Sequence, residues 1–110
     1  MIKVIQNMDS DTRKTPLCKS QQRSIGIMMR KIKHDEIKIS HGHFFSYGFI
    51  RRGKTIVYFS TSDFRHFPNQ AIVRYAENFK DFTGGMNNIT TIEKLDSIVE
   101  TLLSNSVVLR

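Results

Sequence analysis

The chain has 110 residues, 39% hydrophobic and 25% charged, a balance typical of one folded domain rather than a disordered segment. No apolar run reaches the roughly 18 residues of a membrane span, so we expect no membrane partner. A single cysteine, Cys18, offers no internal disulfide, and the first residues show no signal-peptide pattern. These features predict a cytoplasmic protein.

The net charge of +7 comes from 17 basic and 10 acidic residues and is concentrated in the first half of the sequence. Residues 1–54 carry 12 basic and 4 acidic side chains, whereas residues 55–110 carry 5 and 6. A basic half on a neutral scaffold is typical of proteins that bind polyanions. Because lysines also keep small proteins soluble, the charge favours a nucleic-acid partner without establishing one.

The first predicted elements are an arm and an amphipathic helix. Residues 1–16 are predicted to form a partly irregular N-terminal arm. From Ser20 to about Lys33 the apolar residues follow helical spacing, at Ile25, Met28, Met29 and Ile32. Ser20 suits the N-cap position, and the other side of the predicted helix is basic.

Alternation of apolar and polar residues predicts strands on both sides of a central hairpin. Ile37 and Ile39 alternate with polar residues, and His41-Gly42-His43 then marks either a turn or a glycine-bearing bulge in one long strand. Ala71–Ala76 alternates in the same way and predicts a further strand, after a loop rich in turn-forming residues.

The central stretch, Phe44–Thr61, predicts a β-hairpin whose glycine supplies the positive φ of a tight turn. If Arg52-Gly53 is the two-residue loop, Phe49 faces Ile56; a three-residue loop with a bulge would shift the pairing by one. In the first register both faces are mostly apolar, one of them through Phe45, Tyr47, Phe49, Ile56 and Tyr58. The hairpin should therefore be covered on both sides or lie inside a larger sheet.

The last third predicts a loop, a helix and a tail. Glu77–Asn88 ends in glycines and asparagines, which are common in loops. Thr90 or Thr91 then suits the N-cap of a helix, and Thr90 with Glu93 fits a capping box. This helix has a wide apolar stripe of Ile92, Leu95, Ile98, Val99, Leu102 and Leu103. Ser104-Asn105-Ser106 is predicted to end it, before a short tail that suits an edge strand.

Together these elements predict a small two-layer α+β domain over residues 17–104. An antiparallel meander of three or four strands is flanked by an N-terminal and a C-terminal helix, and residues 105–110 form a C-terminal tail. The order helix, three strands, helix resembles that of double-stranded-RNA-binding folds. Residues 90–93 hold none of the lysines that those proteins place at the start of the second helix, so the resemblance covers topology alone.

The leading candidate site is a cationic surface on the first helix and at the hairpin tip. Arginine can bind phosphate oxygens through two hydrogen bonds at once, and a basic hairpin tip can clamp a nucleic-acid backbone. We predict that DNA or RNA contacts Arg23, Arg30, Lys31, Lys33, Arg51, Arg52 and Lys54. Because exposed turn positions seldom affect stability, reversing Arg51 and Arg52 to glutamate should leave the fold intact.

The aromatic residues and the histidines form weaker candidates. Aromatic side chains on an open sheet can stack unpaired bases, although they more often form the core; the set is Phe44, Phe45, Tyr47, Phe49, Tyr58 and Phe59. His41 and His43 would share a face of a continuous strand and would suit metal binding or acid–base chemistry. Solvated imidazoles in a polar turn are the commoner arrangement. With no third ligand at a characteristic spacing, we predict no metal or other cofactor.

Two loops complete the candidate sites. Asp81–Thr91 leads through two glycines toward a helix N-terminus, where backbone amides can bind an anion, but it lacks the lysine and the spacing of a phosphate loop. The second loop contains Phe64, Arg65, His66 and Phe67, which would suit a protein interface or pack under the sheet. Cys18 is predicted to be a buried apolar residue.

The leading hypothesis is a small basic accessory protein, of a kind that suits a phage or plasmid, which binds nucleic acid without catalysis. The first alternative is an interaction protein or inhibitor, such as a phage anti-defence protein, that blocks the active or nucleic-acid-binding surface of a larger enzyme. The second is a small ribonuclease toxin with His41, His43 or His66 as general base. A homodimer through a sheet edge is compatible with each hypothesis.

Overall fold

The computed structural model describes residues 18–109, in which two helices and a five-stranded sheet form an α+β domain. Residues 18–30 form helix α1, and Leu95–Leu109 form helix α2 after a 3₁₀ turn at Ile92–Lys94. The strands are β1 (Glu36–His41), β2 (Ser46–Arg52), β3 (Thr55–Thr61), β4 (Gln70–Ala76) and β5 (Asn88–Thr91). Each strand pairs antiparallel with the next, so the sheet is a simple meander. The α+β prediction is confirmed, with five strands instead of three or four.

Both helices contribute to one buried core on the same face of the sheet. The apolar stripe predicted for α1 is confirmed, because Ile25, Met29 and Ile32 are buried and Met28 packs against them. From α2, the side chains of Leu95, Val99 and Leu103 are buried in the same cluster. The sheet contributes alternate residues of its central strands, chiefly Ile50, Val57, Phe59, Ala71 and Val73. Cys18 is buried in this core, as predicted.

The hairpin differs from the predicted register by one loop position. Arg52 pairs with Thr55 and Phe49 pairs with Tyr58, so the two-residue loop is Gly53-Lys54 and not Arg52-Gly53. Gly53 has φ 63°, and glycine tolerates this left-handed conformation at the first loop position without strain. Because both loops have two residues, the same side chains share a face in either register. The predicted division of the hairpin into two faces is therefore confirmed.

Strand β5 was not predicted, and it explains why the predicted capping box is wrong. Thr90 pairs with Ala71 in β4 and is extended, so it lies in the sheet rather than before a helix. Thr91 caps the 3₁₀ turn without a side-chain hydrogen bond. The tertiary pairing with β4 thus overrides a local helix-start pattern.

Two predictions about the ends of helices are wrong, and the alternative between a turn and a bulge after β1 is resolved. Ser20 lies inside α1 and is not its N-cap. Helix α2 continues through residues 104–106 to Leu109, which leaves no edge strand there. His41 pairs with Ser46, so residues 42–45 form a turn rather than a bulge. The predicted arm, residues 1–16, lies outside the described residues.

The five-stranded meander also limits the topological resemblance to double-stranded-RNA-binding folds, which rests on three strands. Two strands beyond that number are present in the described region. Neither α1 nor α2, as far as the structure describes them, is long and apolar enough to cross a membrane.

Candidate nucleic-acid interface

Arg52, at the end of β2, is bound to the helical layer. Its guanidinium donates hydrogen bonds to both carboxylate oxygens of Glu100 in α2, at 2.7 and 2.9 Å, and to the carbonyl oxygen of Lys33, at 2.9 and 3.0 Å. The hydrogen bond to Glu100 raises the pKa of Arg52. The hydrogen bonds from Arg52 and then Ser104 lower the pKa of Glu100 to about 2. Arg52 therefore joins the hairpin tip to α2 and to the segment that follows α1. It does not fit the expectation of an exposed cation whose reversal leaves the fold intact.

Arg51 lies on the opposite face of the sheet and is also paired with acids. Its Nε donates a hydrogen bond to Glu36 at 3.2 Å, and its Nη1 lies 4.0 Å from the Asp35 carboxylate. Asp35 in turn accepts a hydrogen bond from the backbone amide of Gly53 at 2.7 Å. Lys54 is exposed and makes no ion pair with a described residue. Two of the three predicted tip cations are thus neutralised within the domain.

Unlike the tip arginines, the cations of helix α1 and of the residues just after it have no described ion-pair partner. Residues 18–33 contain five basic and no acidic side chains. All five are exposed, and none forms an ion pair within the part of the chain that the structure describes. We call this surface the α1 cationic face; it comprises Lys19, Arg23, Arg30, Lys31 and Lys33.

The geometry of α1 brings most of these charges to one side. Lys19, Arg23 and Lys31 lie on a row of four-residue steps, and the intervening position of that row is Ile27, 49% exposed. The guanidinium of Arg30 lies over Gly26, because a Cβ at that glycine would be only 2.7 Å from Arg30 Nη1. The buried stripe on the other side of α1 fixes which way these charges face.

The aromatic candidates divide between the core and the surface. Phe59 is fully buried under the helices, and Phe49 is 2% exposed on the other face of the sheet. Phe44 is half-buried, with the Arg65 guanidinium carbon 3.7 Å from its ring centre. Phe45 stacks on Tyr47 with ring centres 5.6 Å apart, and both rings retain exposed area. Within the predicted aromatic set, this last pair is the one whose stacked rings include an exposed ring, that of Phe45.

The sheet face opposite the helices is covered in part by residues 77–87, the β4–β5 loop. Phe79 stacks on Phe49 with ring centres 5.4 Å apart, and Phe82 meets Phe49 and Tyr58 edge-on at 5.2 and 6.1 Å. The hairpin is thus covered on both sides, as predicted. The covering segment was not identified from sequence; its two phenylalanines, three residues apart in a polar loop, are the pattern that indicates it.

A buried arginine anchors this loop. Arg74 in β4 is 2% exposed, and it donates hydrogen bonds to the carbonyl oxygens of Tyr75 and Asp81 at 3.1 and 2.6 Å. Its guanidinium carbon lies 4.5 Å from the centre of the Tyr58 ring, and its Nη1 lies 3.6 Å from the Asp81 carboxylate. A buried cation needs such partners, so Arg74 is part of the fold rather than of a binding surface.

Asp81 occupies one of the amides, that of Gly84, which the glycine-rich loop was expected to offer to an anion. Its carboxylate accepts hydrogen bonds from the backbone amides of Glu77 and Gly84, both at 2.9 Å. These bonds lower the pKa of Asp81. An external anion would therefore compete with the Asp81 carboxylate for the Gly84 amide. In addition, α2 is preceded by a 3₁₀ turn rather than by an open N-terminus.

The histidines are not assembled into a common site by any described contact. His41 Nδ1 lies 2.8 Å from Ser46 Oγ, and the ring of His43 lies 6.3 Å from that of Phe44 in the turn after β1. His66 is exposed in the loop after β3. No group of three potential metal ligands occurs among the described residues.

The predicted protein-interface loop also separates into different roles. Phe64 is buried in the core, which decides the alternative that it packs under the sheet. Arg65 pairs with Asp63 at 2.7 Å, and its hydrogen bond lowers the pKa of Asp63 to about 2. Phe67 and His66 remain exposed and line a shallow groove with Ile89 of β5.

Comparisons with protein-family models, with curated proteins and with solved structures found no match to this chain. The functional proposal therefore depends on the geometry of the described residues. That geometry contrasts an exposed set of cations on α1 with a hairpin tip whose arginines are neutralised by acids of the same domain.

Proposed function

We propose that this chain is a non-catalytic nucleic-acid-binding module that contacts the phosphate backbone through the α1 cationic face. The observation that carries the proposal is the set of five exposed basic side chains in residues 18–33, none ion-paired with a described residue. Like charges one helical turn apart destabilise a helix by about 0.2–0.5 kcal/mol per pair. A polyanion removes this repulsion and gains entropy from the counterions it releases.

The hairpin tip contributes little to phosphate binding in this proposal. Lys54 adds one exposed charge, whereas Arg51 and Arg52 form ion pairs within the domain. A phosphate that displaced Glu100 from Arg52 would leave that carboxylate beside the new anion, with a hydrogen bond from Ser104 but without its arginine. Their mutual repulsion disfavours the exchange, and the same holds for Arg51 beside Glu36, so the arginines of the tip are poor phosphate ligands.

One observation favours a protein partner as the competing function. Ile27 lies among the cations of α1 and is 49% exposed, and an apolar residue within a basic rim is more typical of protein interfaces than of phosphate contacts. On this alternative an acidic protein surface would replace the nucleic acid. Ile27→Ser should leave nucleic-acid affinity nearly unchanged if the phosphate backbone is the ligand.

The test is a titration of the purified protein with labelled single-stranded DNA, duplex DNA and RNA over a range of salt concentrations. Arg23→Glu is compared with Lys94→Glu, because both residues are exposed and both changes reduce the net charge from +7 to +5 (7 − 2 = 5). Arg23→Glu should weaken binding by roughly 10-fold and flatten the salt dependence, since it removes a phosphate contact and adds repulsion.

Lys94→Glu should have a smaller effect, because Lys94 lies in the 3₁₀ turn before α2 and is not part of the α1 cationic face. Equal losses in the two variants would mean that only net charge matters and would contradict a defined α1 surface. Wild-type binding that is absent, or that does not respond to salt, would contradict the proposal as a whole.

A further inference from the structure

The sheet face opposite the helices carries an exposed group of aromatic rings beside a cation. Phe82 is 50% exposed and Phe45 is 37% exposed, and each contacts Tyr47, with ring centres 6.2 and 5.6 Å away. We call Phe45, Tyr47 and Phe82 the aromatic strip. One edge of the Phe82 ring also packs against Phe49, so only the rest of this ring is open to a ligand.

Polar groups suited to a nucleotide lie next to this strip. Lys38 and Ser40 of β1 pair directly with Phe49 and Tyr47, so they share the face of the sheet with these rings. Together with Phe82 they line a small cavity of about 50 Å³. Lys38 is exposed and makes no ion pair with a described residue, whereas the nearest acid of the strand, Glu36, is bound by Arg51.

The strip is connected to the α1 cationic face through the turn between β1 and β2. Gln22 of α1 donates hydrogen bonds to the carbonyl oxygens of Gly42 and Phe45, at 3.1 and 3.2 Å. Gly42 leaves room for the Phe45 ring, since a Cβ there would overlap it. The turn thus places the backbone of Phe45 beside Gln22, the residue that precedes Arg23, and so joins the strip to α1 at one edge of the sheet.

The strip is also held in place before any ligand arrives. Arg74 binds the carbonyl oxygen of Asp81, the residue before Phe82, and the Asp81 carboxylate closes the loop on the amides of Glu77 and Gly84. Phe82 therefore keeps one edge against the sheet and one side toward solvent. A ring fixed in this way loses little conformational entropy when a base stacks on it.

We infer that the aromatic strip stacks unpaired bases, with Lys38 near their phosphates, so that the preferred ligand of this protein is single-stranded nucleic acid. Aromatic rings beside cations bind single strands because every base offers a flat π-face, whereas bases within a duplex are already stacked on one another. The inference rests on the proposed function, since α1 supplies the phosphate contacts that bring the strand to the sheet.

The test compares Phe82→Leu and Phe45→Leu with the control Phe67→Leu, whose ring is 54% exposed in the loop after β3. Leucine keeps apolar volume against the sheet and removes the stacking ring. Affinities for labelled oligothymidylate, oligouridylate and a mixed-sequence duplex are measured for each protein. Phe82→Leu should weaken binding of the single strands by roughly 5- to 100-fold, leave duplex binding and the salt slope unchanged, and Phe67→Leu should match the wild type.

The possible failures are distinguishable. Single-strand affinity that stays at the wild-type value in both Phe82→Leu and Phe45→Leu, while Arg23→Glu loses it, overturns stacking and leaves the α1 proposal standing. An equal loss for single strands and duplex also overturns it, because stacking on unpaired bases cannot affect a duplex. Wild-type protein that binds none of the three probes overturns both proposals.

Discussion

The hairpin tip and helix α1 are both rich in arginine and lysine, but their charges are in opposite states. At the tip, Arg51 and Arg52 face Glu36 and Glu100 at 3.2 and 2.7 Å. On α1, Arg23 and its basic neighbours face no described acid within ion-pair distance. Two regions that look alike in the sequence therefore differ in what they can offer to an external anion.

The difference shows that a basic cluster indicates a binding surface only when its counter-charges are known. Arg52 uses its planar fork to bind a carboxylate from its own domain, the same geometry that would bind a phosphate. Repulsion between the phosphate and the displaced Glu100 carboxylate opposes that exchange. The cations of the α1 cationic face have no ion-pair partner among the described residues, so binding there breaks no described ion pair.

The largest expected effect is on folding stability, at the tip. Arg52→Glu removes five hydrogen bonds, two to Glu100, two to the Lys33 carbonyl and one to Ser104, and places a second carboxylate beside Glu100. We expect the free energy of unfolding to fall by about 2–3 kcal/mol, measured by urea denaturation. Arg51→Glu is the matched control, with the same charge change at an exposed pair worth about 1 kcal/mol or less. Equal losses in the two variants would contradict the structural role assigned to Arg52.

The sequence shows the tip arginines but does not indicate which acids pair with them, and this limited what could be predicted. Arg52 and Glu100 are 48 residues apart, so no local pattern links them. The same holds for β5: Asn88–Thr91 is short and polar, and only its pairing with β4 makes it a strand. By contrast, the buried stripe of Ile25, Met29 and Ile32 repeats at helical spacing and was predicted correctly, because a single element encodes it.

The candidate site was predictable in part for the same reason. The basic side of α1 follows from the position of its apolar stripe, and the structure exposes all four residues predicted there. The predicted aromatic set contains both buried and exposed residues. Alternation assigns Phe49 and Phe59 to opposite faces of the sheet, but it does not indicate which face a loop covers. Phe82, in that covering loop, lay within the candidate anion loop Asp81–Thr91, but no stacking role was predicted for it.

A smaller effect is expected in acid, where the tip pair loses its charge. The pKa of Glu100 is lowered from 4.5 to about 2 in the folded protein, so the pair stabilises the fold above pH 4.5 and the stabilisation is lost as the pH falls toward 2. The Glu100 side chain is 48% exposed, and solvent screening limits the contribution to about 1 kcal/mol.

Urea denaturation at several pH values tests this expectation. Glu100→Gln should be less stable than the wild type near neutral pH, and the gap should narrow as the pH falls through this range. Glu93→Gln, at an exposed position with no ion pair to a described residue, serves as the control. A gap between wild type and Glu100→Gln that stays constant from neutral pH to pH 2 would refute the assigned role of the pair.

The smallest expected effect is on the stability of α1, and it has the opposite sign. Arg23→Glu removes the repulsion between Arg23 and Lys19 and replaces it with attraction one turn apart. We expect the free energy of unfolding to stay the same or to rise by about 0.5 kcal/mol while nucleic-acid affinity falls. A loss of stability similar to that of Arg52→Glu would show that the charges of α1 are needed for the fold, as those of the tip are.

The central claim is that the charges of α1 are available to an external anion and those of the tip are not. The most direct measurement is the salt dependence of single-strand affinity for two variants of equal net charge, Arg23→Gln with Lys31→Gln on α1, and Arg51→Gln with Arg52→Gln at the tip. Each lost phosphate contact lowers the slope by about 0.7 for a single strand. The account predicts a slope lower by about 1.4 in the α1 variant and close to wild type in the tip variant. A tip variant that loses the slope while the α1 variant keeps it would contradict the account.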